Sequence, residues 1–179
     1  MTKVWSILVR VLHWSLVIGV FSAWLTREGF ADDRHIWLGY VCVGVITARI
    51  AWGFLGARRD RFTSFVAAPA ATAAYTRLVI KHAEPRYLGH NPLGGWMIVA
   101  LLTTLTAVCF SGWLYTTDTY WGIDWVIQLH DISTTVLLCL VALHVGGVIF
   151  TSIRHRENLV TAMLHGRKRD AATGDIPPP

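Results

Sequence analysis

Polar and apolar positions along this chain fall into long blocks. Four apolar runs, about Ile7 to Leu25, Ile36 to Leu55, Gly95 to Tyr115 and Val126 to Phe150, are near or above the roughly 20 residues a helix needs to cross a hydrocarbon layer. None shows the ten-residue alternation of a membrane barrel strand. Backbone groups in lipid must be satisfied within their own segment, so the pattern predicts an all-α integral membrane protein, a bundle of four transmembrane helices. The first run passes through Ala23-Trp24-Leu25-Thr26 without a small-residue cleavage site, and is read as retained rather than removed as a signal.

Between the second and third runs, residues 63–81 mix Phe65, Val66, Leu78, Val79 and Ile80 with alanines and basic residues. This is the pattern of a cytoplasmic interfacial helix, with Arg77 and Lys81 meeting anionic headgroups. The third membrane helix should open at Asn91-Pro92, with Asn as its cap and Pro in its first turn. Residues 169–179, ending in three prolines, read as a flexible cytoplasmic tail, leaving residues 1–168 as one membrane domain.

A composition of 54% hydrophobic and 15% charged residues, with a mean hydropathy of +0.46, excludes an ordinary soluble domain. Basic residues are in excess over residues 1–10 (Lys3, Arg10), between the second and third runs (Arg58, Arg59, Arg61, Arg77, Lys81 and Arg86 against Asp60 and Glu84) and after the fourth. The other two connections are acidic: Glu28, Asp32 and Asp33 outnumber Arg27 and Arg34, and Asp118 and Asp124 stand alone. By the positive-inside rule both termini and the middle loop lie in the cytoplasm. Topology thus explains the basic pI, and no nucleic-acid motif accompanies it. Trp and Tyr near the run ends fit an interfacial belt. Cys42, Cys109 and Cys139 sit inside runs, as packing residues. No Ser-His-Asp, Glu-x-x-His or phosphate-loop pattern points to hydrolytic or phosphoryl chemistry.

The candidate chemistry lies with histidine. Ionisable side chains in a membrane span are costly and face the bundle interior. His130 and His144 are fourteen residues apart, which at about 100° and 1.5 Å per residue returns them to within about 40° of one direction, about 21 Å apart along the axis. One therefore lies near each surface of the layer. By depth, His13 pairs with His144 and His35 with His130. Two imidazoles meeting at each depth can supply both axial ligands of a haem iron, leaving no open position for oxygen. Without a Cys-x-x-Cys-His motif such haems are non-covalent, of b type.

Alternatives at this stage are that His35 and His130 are water-bound interfacial residues, or that the same imidazoles serve a divalent-metal transporter. Arg49, fourteen residues after His35, returns to the same face and suits a haem propionate; the alternative is a guanidinium snorkelling to the surface. Gly39, Gly44, Gly146 and Gly147 leave room for a porphyrin or for close helix packing. His82, His90, His155 and His165 read as solvated loop residues, although His90 at the mouth of the third span could border a quinone pocket.

Arg10-Val11-Leu12-His13-Trp14, His35-Ile36-Trp37-Leu38-Gly39, Arg49-Ile50-Ala51-Trp52-Gly53, Tyr87-Leu88-Gly89-His90-Asn91-Pro92-Leu93, Glu157-Asn158-Leu159-Val160-Thr161-Ala162-Met163 and the His130/His144 pair together resemble the bacterial cytochrome b561 family and, more closely, the b-type cytochrome subunit of nickel-iron hydrogenases. The resemblance covers residues 5 to about 168. It implies a four-helix bundle in the bacterial inner membrane with two b haems at the positions matching His13, His35, His130 and His144. It also implies electron transfer between membrane quinone or quinol and a partner redox protein. The partner would be a periplasmic cytochrome c or a hydrogenase-like enzyme, for which the chain could alternatively be a haem-containing anchor.

Overall fold

The computed structural model describes residues 1–27 and 33–177; Glu28 and Asp32 of the first acidic connection, and the final Pro178 and Pro179, lie outside the described residues. In chain order the elements are β1 (Thr2–Lys3), α1 (Ile7–Leu25), α2 (Asp33–Leu55), a 3₁₀ turn (Arg58–Asp60), α3 (Phe62–Phe65), α4 (Pro69–Ile80), α5 (Pro92–Tyr115), α6 (Asp124–Arg154), α7 (Leu159–His165) and β2 (Arg167–Lys168). Among the described residues α1, α2, α5 and α6 are long and apolar enough to cross a membrane, so the fold class is the all-α membrane class expected from hydropathy. α2 and α6 begin before their apolar runs because Asp33 and Asp124 occupy first turns, where a carboxylate complements the helix dipole. α5 starts at the expected cap, the Gly94 amide donating to Asn91 Oδ1 at 2.7 Å.

The interfacial segment differs from expectation. It is not one helix over residues 63–81 but two, α3 and α4, separated at Ala67-Ala68. Pro69 lacks an amide hydrogen and holds Ala68 in an extended conformation at φ −59°, ψ 149°, so the first helix has to stop before it.

The described residues form two compact units. The first, Val11–Ile50 with Ala100–Ala142, contains parts of all four long helices packed on Ile46, Leu105 and Leu137, with Leu16, Val20, Leu101 and Val108 around them. Outward side chains are apolar and bare, among them Ile18, Phe21 and Ile132, each more than half exposed. Such surface is stable only against lipid. Since lipid tails are as apolar as leucine, helix association here rests on packing and on polar contacts between helices. One close contact is required of Gly19, where a Cβ would come within 2.9 Å of Cys42 Sγ.

The second unit comprises Met1–Arg10, Ala51–Val99 and Leu143–Pro179. β1 pairs antiparallel with β2, Thr2 opposite Lys168. Gly166 at φ 76° closes α7 and accepts from the Val4 and Trp5 amides through its carbonyl. Arg86, only 5% exposed, donates to Glu157 at 2.6 and 3.3 Å, to the Arg169 carbonyl at 2.9 Å and to Asp175. Arg154 pairs with buried Glu84 at 2.8 Å. Farther along, Ile176 bridges Tyr87, exchanging backbone hydrogen bonds with Arg86 and Leu88 at 2.8 and 3.0 Å.

Lys168, 6% exposed, donates to the Tyr87 carbonyl at 3.2 Å and lies 5.7 Å above the Trp5 ring. Burial pushes its amine down from 10.5 to about 8, with Glu157 pulling the other way. The folded chain therefore binds this proton less readily than the unfolded one, a cost fully present below the folded pKa and relieved as pH rises from about 8 towards 10.5. Unfolding midpoints should climb across that alkaline window. In Lys168→Met protein the rise should be absent, and parallel curves for the two proteins would contradict it.

Candidate haem site

Within the first unit, His35 near the start of α2 and His130 in the second turn of α6 come together, their ring centres 6.2 Å apart and their planes at 79°. His35 Nδ1 lies 2.9 Å from the Ala23 carbonyl at the end of α1. His130 Nδ1 lies 3.1 Å from the Val108 carbonyl and 3.2 Å from Ser111 Oγ, both on α5. A carbonyl only accepts, so each Nδ1 donates and each Nε2 keeps its lone pair. That is the tautomer a metal-ligating imidazole adopts, with a carbonyl behind it fixing the ring.

The residues fit a haem iron. Imidazoles bonded from opposite sides to one metal at about 2.0–2.1 Å place their ring centres about 6 Å apart, and the observed 6.2 Å agrees. His35, Gly39, Cys42, Ile46 and Arg49 follow one another at alternating spacings of four and three, the inward face of α2. Cys42, Ile46 and Arg49 on it are almost fully buried, whereas a Cβ on Gly39 would meet nothing within 4 Å. Space is therefore left one turn from His35, where a flat macrocycle needs it. Gly44, Gly146 and Gly147 are exposed and also meet no neighbour, so close helix packing does not account for them.

Arg49 is 6% exposed. A snorkelling guanidinium would be wet, so that alternative fails. α6 is one unbroken helix from Asp124 to Arg154, and Val126, His130, Ser133, Leu137, Leu140, His144 and Val148 form its more buried stripe. His130 and His144 thus share the inward face, as their spacing requires. His13 is half-buried on α1 with the Trp14 ring edge-on at 5.2 Å. His13 belongs to the first unit and His144 to the second.

Of the loop histidines, His82 and His165 are exposed. His155 is half-buried, and burial pushes its imidazole down. His90 is half-buried, with Trp5 and Phe65 against it, each ring centre 4.5 Å away. Among the described residues no three of His, Cys, Asp and Glu converge in a way that would hold a metal ion directly.

Sequence reading missed the supports of His130. Ser111 is fully buried, its hydroxyl donating within α5 to the Ala107 and Val108 carbonyls. A Cβ on Gly112 would approach His130 Cε1 to 3.2 Å. The available signal was a small polar residue followed by glycine, Ser111-Gly112, inside an otherwise apolar run.

Four apolar helices with a pair of inward imidazoles, each fixed from behind by a carbonyl, define a helical membrane protein built to hold a flat metal cofactor. The chain matches the family model described as prokaryotic cytochrome b561 over residues 4–166, and it belongs to that family. No curated protein and no solved structure matches it. Family membership makes this a multi-pass bacterial membrane cytochrome, with electron transfer through b-type haem as its function.

Proposed function

We propose that the chain carries electrons across the bacterial inner membrane through two non-covalent b haems, each held by two histidines, between membrane quinone or quinol and a partner redox protein. The observation that supports it most is the His35–His130 pair, with ring centres 6.2 Å apart and both Nδ1 atoms engaged by carbonyls. Haem bound there supplies one-electron iron chemistry. The protein's part would be to hold a haem iron between His35 and His130, both rings fixed from behind, with two imidazoles on one iron leaving no site for oxygen.

A second haem on His13 and His144 rests on the sequence: the fourteen-residue return along α6 and the matching depth of His13 on α1. Arg49, buried on the face that carries His35, is the candidate for a propionate partner, since its planar fork suits a carboxylate. Both termini are placed in the cytoplasm by the basic excess of their flanks. A periplasmic cytochrome c or a hydrogenase-like enzyme is the candidate protein partner.

Purified protein should show sharp reduced α and Soret bands with two haems per chain, and the bands should bleach when a quinone is added to the reduced form. A colourless sample, or one haem per chain, would overturn the two-haem reading. Reduced haems that no quinone reoxidises would leave the anchor role in its place.

A further inference from the structure

We propose that α4 is an interfacial helix that binds acidic phospholipid headgroups through Arg77 and Lys81. The first support is where α4 is held. Trp96 in the first turns of α5 is 40% exposed, a belt position for an indole at the membrane surface. Its Nε1 donates to the Ala67 carbonyl at 3.0 Å, two residues before α4 begins. Gly95 beside it lets the Phe65 carbonyl occupy the space that a Cβ would need. The start of α4 is thereby pinned at the level where α5 enters the membrane.

The second support is how α4 divides. At about 100° per residue, Thr72, Tyr75, Thr76 and Val79 fall within an arc of about 100°, and these are its buried and half-buried positions, with the Tyr75 ring edge-on to Tyr87 at 5.5 Å. The remaining arc is exposed. At its centre, one turn apart, stand Arg77 and Lys81, flanked on either side by Leu78 and Ile80, 38% and 73% exposed, and continued by Ala70, Ala71, Ala73 and Ala74. An arc with cations at its middle and apolar side chains at its edges suits a helix lying in the headgroup layer, where Arg77 and Lys81 meet phosphates and Leu78 and Ile80 add apolar contact.

The third support is charge. The five carboxylates of this unit are engaged elsewhere: Asp60 accepts from Trp52 Nε1, Glu84 pairs with Arg154, Glu157 and Asp175 with Arg86, and Asp170 with the N-terminus. No carboxylate among the described residues pairs with Arg77 or Lys81, which leaves both exposed cations accessible to an anion from outside the chain. A phospholipid phosphate at the level of Trp96 is such an anion.

The test is hydrogen exchange of the amides of residues 69–81 in the full haem-loaded protein, in nanodiscs of phosphatidylcholine alone and of phosphatidylcholine with phosphatidylglycerol. The acidic discs should slow exchange about fivefold per cation, roughly thirtyfold for the pair, and high salt should erase the difference. Arg77→Gln with Lys81→Gln should abolish the lipid dependence while the visible spectrum stays intact, which separates this result from any failure of the haem reading. Equal exchange in both discs would overturn the proposal and leave an acidic protein surface as the occupant. A lipid dependence that survives the double substitution would overturn it as well.

Discussion

Replacing His130 with alanine should remove one haem from each chain and leave the other, halving the haem measured per chain. His35→Ala should empty the same site, and the double substitution should be no worse than either single one, as the proposal of one iron between the two rings requires. His13→Ala and His144→Ala should each empty the second site. The expectation for His130 rests on geometry: its Nδ1 is committed to the Val108 carbonyl at 3.1 Å, and its ring centre is 6.2 Å from that of His35. An iron that loses one of two axial nitrogens becomes five-coordinate and can bind external ligands. Any residual haem in His130→Ala protein should therefore bind carbon monoxide, which the wild type should not. Haem stoichiometry with carbon monoxide difference spectra decides the matter. Equal loss from both sites on His35→Ala would break the pairing, and full occupancy in His130→Ala would remove the ligand assignment.

Arg86→Met should cost about 3–5 kcal/mol of stability, the range for breaking a buried ion pair by deleting one partner. The guanidinium is 5% exposed and satisfies Glu157, Asp175 and the Arg169 carbonyl together. Without it two carboxylates remain in a dry setting with no cation to compensate them. The same substitution should free the tail from about Arg169 onward, because Asp175 and the backbone bridge at Ile176 are what tie it to Tyr87. Limited proteolysis should then clip the tail in Arg86→Met protein and spare it in the wild type. Acid should mimic the substitution. Burial alone would raise Glu157, yet the Arg86 hydrogen bonds hold its carboxyl below the ordinary range, and Asp175 is held down first by the Ala172 amide and then by Arg86. Both contribute stability above their unfolded pKa that is lost as pH falls through the lower folded values. An unchanged unfolding midpoint in Arg86→Met protein, with an intact tail, would refute this account.

The ease of reading this chain varied with the range of the interaction involved. The spans, the cap at Asn91 and the shared face of His130 and His144 were legible because each depends on residues within a few turns of one helix. The break before Pro69 is equally local, and a stricter reading of proline's effect on Ala68 would have found it. The contacts of residues 169–177 were not legible, because a buried Arg86 far away in sequence supplies the partner of Asp175. The same holds for His90: nothing near it in the chain announces Trp5 and Phe65 as its neighbours.

Hydropathy, a property of the unfolded string, was enough to establish an all-helical membrane protein with four spanning helices. It could do so because the bilayer imposes one rule on every spanning segment, that backbone polar groups be satisfied internally. Which nitrogen of His35 and of His130 faces a carbonyl, that Gly112 and Ser111 support His130, that Arg49 is buried and that Arg86 holds the tail were settled only by the packed chain. Each of these turns on atoms from distant segments brought within about 3–4 Å of one another, the range over which hydrogen bonds and steric contact act.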